Sequence, residues 1–205
     1  MWNDTIIESI RACASPALDL RGLQTGAKQS LDQYPVHDLA ARRTAVQALI
    51  AHVKYLAPAP RQVLVDAIAE RAQVHLPTDL MMTGEQVRAL RKAGMQIGAH
   101  TVSLPILASL QPEQAREEMR NSKNQLESLL GEKVTLFAYP NGKPGVDYLP
   151  EVNPAIARDL GFDAAVATHW GAAKVGDDPF QLPRFTPWDR SRLKFGLRLA
   201  RNLVL

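Results

Sequence analysis

The sequence predicts an α/β protein whose parallel sheet is preceded by a helical segment, and three observations carry that prediction. From Thr83 onward helical and strand-like stretches alternate, which is the pattern of βαβ units. Before Thr83 the chain reads as amphipathic helices joined by connectors. The length, 205 residues, suits one domain. With about 80 residues spent on the helical segment, what is left holds about four strands at roughly 30 residues per strand-helix-strand unit.

The elements follow in order. Asp4 caps a short helix through Arg11, with Ile6, Ile7 and Ile10 as its apolar stripe. Residues 16–36 carry scattered Pro and Gly without periodicity and read as an irregular connector. Asp38 to Leu56 is an amphipathic helix with Leu39, Val46, Leu49, Ile50 and Val53 on one side. Pro58 and Pro60 stop it, and Arg61 to Gln73 makes another. Thr83 with Gln86 forms a capping box for a helix ending near Ala93, where Gly94 supplies the stop. The short apolar run MQIGA leads to His100. Pro112 to Leu130 is a long helix closed by Gly131. Val134 to Tyr139 is a strand, followed by the turn Pro140-Asn141-Gly142. Asn153 opens a helix that closes at Gly161, and Phe162 to Thr168 is a third strand. The expected organisation is a single domain over 1–205: a helical segment at 1–80, an α/β core at 81–190 and a basic helix at 191–205.

Composition excludes several classes. Apolar residues are 46% and charged residues 22%, a globular and not a disordered balance. No apolar run approaches the ~20 residues of a membrane span, and the N-terminus lacks the basic flank of a signal peptide. A cytoplasmic location is the default expectation. Cys13 is the only cysteine, so an intrachain disulfide and a cysteine-based zinc site are excluded. The net charge of +3 is uneven: residues 184–205 hold six basic side chains and one acid, Asp189. Leu193, Leu197, Ala200 and Val204 fall at helical spacing there, so the tail reads as a helix docking its apolar face on the core with its arginines solvated. Binding to an anionic lipid or glycan surface is the alternative. Nucleic acid is disfavoured because the tail lacks interleaved aromatics.

In a parallel α/β fold, sites gather where the strands end. Three ends do so here: His100-Thr101, Tyr139-Pro140-Asn141 and Thr168-His169-Trp170. Two imidazoles at i and i+4 would hold a metal, but Leu104 occupies the second position, leaving His100 as a lone ligand or a hydrogen-bonded structural residue. His37, His52 and His75 lie in the helical segment, and only His169 is placed to meet His100, with Asp177, Asp178 or water completing such a cluster. Surface or aromatic packing is the plainer role for His169. The Tyr139–Gly142 turn is either a plain loop or a source of backbone N–H groups for an oxyanion. Arg184 reaches an anionic or sugar ligand, or forms a surface salt bridge. Glu117 and Glu118 lie on a helix and read as solvated. No G-x-S-x-G elbow, Walker loop or dinucleotide fingerprint occurs.

The stretch MMTGEQVRALRKAGMQIGAHTVSLPILASL, with LFAYPNG, GFDAAVATHWG and FQLPRFTPWDR, resembles the polysaccharide deacetylase family, the carbohydrate esterases with the NodB-homology domain. The resemblance covers roughly residues 76–190, and the helical N-terminal part looks like an insertion that some bacterial members carry. It implies a distorted (β/α) barrel, here partial and lacking its first strands, and metal-dependent removal of acetyl groups from N-acetylated sugars. It implies a divalent metal, often zinc, held by an Asp and two His, with another Asp as general base. His100 matches the first His of the family's His-x-x-x-His pair. Tyr139 matches the residue whose backbone N–H contacts the acetyl oxyanion, with Pro140 beside it on the substrate side, and Arg184 lies in a family-like Leu-Pro-Arg segment. The departures are Leu104 at the second His position and the lack of the Thr-Phe-Asp-Asp-Gly strand end anywhere in the chain. No His in the C-terminal part matches the family's general acid. Activity is therefore expected to be weak or absent, and metal binding poor. The alternative is a non-catalytic glycan-binding protein or a fragment completed by a partner.

Overall fold

The computed structural model describes residues 1–24, 30–185 and 189–204, the side chains of 202–204 apart. These residues form two compact units, Met1–Thr83 and Gly84–Leu205.

The first unit contains α1 (Trp2–Ala12), β1 (Ala17–Asp19), β2 (Gln33–Pro35), α2 (Leu39–Val53) and α3 (Pro58–Ala72). Asp38 caps α2 by accepting from the Ala41 amide at 2.7 Å, as an Asp at this position should. Two expectations need correction here. Pro58 and Pro60 do not lie outside a helix but sit in the first turn of α3, where a missing N–H costs nothing because no intrahelical partner exists for it. The connector at 16–36 contains an antiparallel pair, Ala17 opposite Pro35 and Asp19 opposite Gln33. Strands of three residues are too short to show alternation in sequence. Ile6, Ile10, Leu18, Leu20, Leu49, Val65 and Ile68 form a buried core. Arg61, also buried, lays its guanidinium 4.8 Å from the Trp2 ring centre. Arg42 donates to the carbonyls of Ile10 and Cys13, each at 2.9 Å, and to Arg11, satisfying acceptors at the end of α1.

The second unit contains α4 (Gly84–Lys92), a 3-10 turn at Leu107–Ser109, α5 (Pro112–Leu130), β3 (Leu136–Ala138), α6 (Asn153–Asp159), β4 (Ala164–Val166) and α7 (Arg192–Val204). β3 and β4 pair in parallel, Leu136 opposite Ala164. The sheet extends by one bridge on each side, Ala99 to Phe137 and Val166 to Leu182, both parallel. Four chain segments thus run side by side, and among the described residues the sheet does not close into a barrel. Of the MQIGA run, Ala99 alone makes a strand bridge, its amide donating to Leu136 O at 2.8 Å. α5 begins with Pro112, takes support from the Gln111 amide donating to Gln114 Oε1 at 3.2 Å, and ends at Gly131 with φ 69°. It buries Ala115, Met119 and Ser122, one stripe at helical spacing. Lys123 then donates from Nζ to the carbonyls of Val134 and Gly161 at 2.7 and 3.0 Å, tying α5 to the turns that lead into β3 and β4.

The C-terminal helix departs from expectation. α7 forms where the spacing predicts it, but Leu193 and Leu197 are 72% and 63% exposed, so its apolar face is not docked on a core. Among the described residues no helix is long and apolar enough to cross a membrane.

Candidate functional site

Because the four segments of the sheet are parallel, the loops leaving them share one edge, and backbone hydrogen bonds link those loops in turn. His100 follows Ala99, and its Nδ1 lies 2.7 Å from the Ala138 carbonyl. A carbonyl only accepts, so Nδ1 carries the proton and the Nε2 lone pair is left for another partner. The His100 amide donates to Ser122 Oγ of α5 at 3.3 Å.

The loop after His100 is held by a residue that reads in sequence as solvated. The Val102 and Ser103 amides donate to Glu118 Oε2 at 2.8 and 3.0 Å, and the Ser103 hydroxyl donates to Oε1 at 2.7 Å. Glu118 is therefore not a solvated helix residue as expected, whereas its neighbour Glu117 is exposed. Thr101 and Leu104 adopt left-handed backbone, φ 63° and 53°. Leu rarely adopts that conformation and His enters it more readily, so the geometry at position 104 suits the residue that the His-x-x-x-His pattern places there.

Tyr139 leaves β3 buried, its ring stacked on Tyr148 with centres 4.0 Å apart, its hydroxyl donating to Phe180 O at 2.9 Å. Burial first, then the neighbouring Tyr148 and Asp178, pushes the Tyr139 phenol far above its ordinary range; burial, then Asp178, lifts Tyr148 to about 12. The folded state favours both protonated forms. Their stabilisation is fully present below the ordinary tyrosine value of 10; above it stability falls, the Tyr148 share being lost as pH rises through about 12 and the Tyr139 share only at still higher pH. Circular dichroism melts from pH 8 to 12 are expected to show falling stability above pH 10, with a smaller fall in Tyr148→Phe.

The Tyr139 amide donates to Val166 O at 3.1 Å, a sheet hydrogen bond. That corrects the expectation that this N–H meets an oxyanion, because the donor is already spent inside the sheet. Pro140, expected on the substrate side, is buried beneath the turn. Asn141 is the exposed residue there, with φ 57°, and its carbonyl accepts from Thr168 Oγ1 at 2.7 Å. Thr168 N donates to Gly142 O at 2.8 Å, so the loop after β4 fixes the turn after β3. Gly142 has φ 72°, and a Cβ added there would lie 2.9 Å from Thr168 Cγ2 and 3.1 Å from Tyr139 O. Gly142→Ala is therefore expected to lose about 1–3 kcal/mol in thermal melts. Thr168 carried no sequence signal beyond its place at a strand exit.

His169 is exposed, and its carbonyl accepts from the Arg184 amide at 3.1 Å, which brings the exposed Arg184 to the same edge. Trp170 follows, 42% exposed. Asp177 and Asp178, the acids considered for a cluster with His169, are used locally: Asp177 accepts from the Lys174 amide at 2.8 Å, and Asp178 from the Phe180 amide at 3.0 Å. Among the described residues no group of three His, Cys, Asp or Glu side chains is placed to hold a metal ion.

A family model and a curated relative each match part of the chain. The polysaccharide deacetylase family model matches residues 64–165. YxkH of Bacillus subtilis strain 168, a polysaccharide deacetylase by name, is 30% identical over 103 residues, which is 50% of this chain and 35% of that protein. The structure of the Streptococcus pyogenes deacetylase PplD in complex with acetate aligns with TM-score 0.54 and 24% identity, over 61% of this chain and 52% of PplD. IcaB from Ammonifex degensii aligns with TM-score 0.48 and 23% identity over 59% of this chain and 52% of IcaB. The chain thus spans about a third of YxkH and about half of these two solved proteins. The partial α/β sheet agrees with the fold of PplD over the shared segment. Residues 64–165, just under half of this chain, thus match the polysaccharide deacetylase family.

Proposed function

We propose that this chain binds N-acetylated oligosaccharides at the edge where its parallel strands end and hydrolyses their N-acetyl groups weakly or not at all. The family is in general metal-dependent and acts on acetylated polysaccharides. The observation that carries the reading is the donor set. His100 offers one ring nitrogen, its other being engaged with Ala138 O, and a leucine stands four residues on. A zinc that activates water is held by three protein ligands, and one imidazole does not make such a site. The residues described here do not fit the metal, so no catalytic step is assigned through it.

The binding reading uses the same edge. Asn141, not Tyr139, is the turn residue whose amide would meet an acetyl oxygen, since Thr168 fixes the turn from behind. Pro140 supports that turn from beneath, and Arg184, held beside His169, supplies a guanidinium for sugar hydroxyls. The test is to mix the chain with an N-acetylglucosamine hexamer, with zinc or with chelator. Calorimetric binding without acetate release is expected. Acetate release that chelator abolishes would overturn the reading.

One observation favours a second reading, a sheet completed by a partner chain. Each outer segment contributes a single bridge, at Ala99 and at Leu182, leaving short strand edges of the kind that recruit another strand. Light scattering distinguishes the two: a stable dimer that alone binds the hexamer supports completion, and a binding monomer excludes it.

A further inference from the structure

The proposed glycan edge has a neighbour that the family resemblance does not assign. Between α7 and the loop after β4 lies an open, shallow cleft of about 440 Å³ lined by Trp170, Leu197, Arg198 and Arg201. The Arg201 guanidinium lies 5.2 Å from the centre of the Trp170 ring, and Phe185 meets that ring edge-on at 5.9 Å. Arg198 is held in place by Asp189, with Nε at 2.8 Å from Oδ2 and Nη2 at 3.2 Å from Oδ1.

The two arginines differ in what they can offer. Asp189 neutralises Arg198 through a close ion pair and one hydrogen bond, so Arg198 shapes the wall. Arg201 rests on an aromatic face, an arrangement that orients a guanidinium without cancelling its charge. The cleft therefore presents a positive charge beside a ring that is 42% exposed. The part of the Trp170 ring that Arg201 leaves exposed accepts the C–H face of a pyranose, and an oriented guanidinium donates two parallel hydrogen bonds to a carboxylate.

We propose that Trp170 and Arg201 form a subsite for an acidic sugar residue, a uronate, within an N-acetylated glycan. The inference rests on the glycan-binding reading above. Trp170 comes directly after His169, whose carbonyl holds Arg184, so a chain of sugars that reaches Arg184 continues onto the tryptophan. The basic excess of residues 184–205 adds long-range attraction for such a polyanion.

The test is calorimetric titration of the full chain with three probes: a hexasaccharide alternating glucuronate with N-acetylglucosamine, an N-acetylglucosamine hexamer, and free glucuronate. The acidic hexasaccharide is expected to bind about tenfold or more tighter than the neutral hexamer, corresponding to about 1.4 kcal/mol. Arg201→Gln should remove that preference and Arg201→Lys should keep part of it, while circular dichroism checks that α7 persists. Equal affinity for the two hexamers overturns the acidic subsite and leaves the glycan-binding reading standing. So does a preference that survives Arg201→Gln. Free glucuronate binding as tightly as the hexasaccharide overturns it too, because the site would then be one for small anions. Failure of both hexamers to bind overturns the glycan-binding reading itself.

Discussion

Replacing Tyr139 with Ala is expected to cost the second unit about 3–5 kcal/mol, the range for removing a buried aromatic ring. Its side chain fills the centre of that core, stacked on Tyr148, edge-on to Phe137 at 5.2 Å and bonded through its hydroxyl to Phe180 O. Truncation loses the ring contacts and leaves the Phe180 carbonyl without its phenol donor. The urea midpoint of the second unit should fall by about 2 M at an ordinary slope for a small domain. Tyr139→Phe separates the two contributions. It keeps the ring and removes one buried hydrogen bond, at a cost of about 1 kcal/mol. A Tyr139→Ala chain that unfolds at the original midpoint would contradict this account of the core.

Glu118→Ala is expected to release the loop between His100 and Leu104. Three donors lose one charged acceptor, and hydrogen bonds to charged groups contribute about 1.5–3 kcal/mol each when shielded, less where water can replace them. Since Glu118 is half-buried, about 2 kcal/mol for the loop as a whole is the reasonable figure. Hydrogen exchange at the Val102 and Ser103 amides should then accelerate on the order of 30-fold, each 1.4 kcal/mol being a factor of ten. Exchange at Ala99, which bonds within the sheet, should change far less. Unchanged exchange at Val102 and Ser103 would show that the loop holds its left-handed residues without the carboxylate.

These two residues show what was and was not legible in the sequence. α5 could be read nearly to the residue because Pro112 and Gly131 mark its ends and its apolar stripe keeps helical spacing. The parallel arrangement follows from alternation, and the placing of His100, the Asn141 turn and His169 on one edge follows from the arrangement, whereas Arg184 reaches that edge through a hydrogen bond to His169 that the sequence does not show. Tyr139 stands at a strand exit, as the pattern predicts, but its amide is committed to the sheet. The strand that takes its hydrogen bond lies 27 residues away, at Val166, and local sequence does not report long-range pairing. Glu118 looks solvated in sequence because a helical periodicity shows which face is polar, not which polar group finds backbone amides across a loop. The β1–β2 pair was missed because strands of three residues carry no pattern. The exposure of α7 was missed for a different reason. Amphipathic spacing shows that a helix has an apolar face but not what covers it.

At Leu104 the family pattern and the left-handed backbone meet on a residue that cannot bind metal. The direct test is a calorimetric titration of zinc into the native chain, with Leu104→His as its companion. The account predicts no saturable binding at micromolar zinc for the native chain and a measurable gain on restoring the second imidazole. Stoichiometric, tight binding of zinc by the native chain would contradict it.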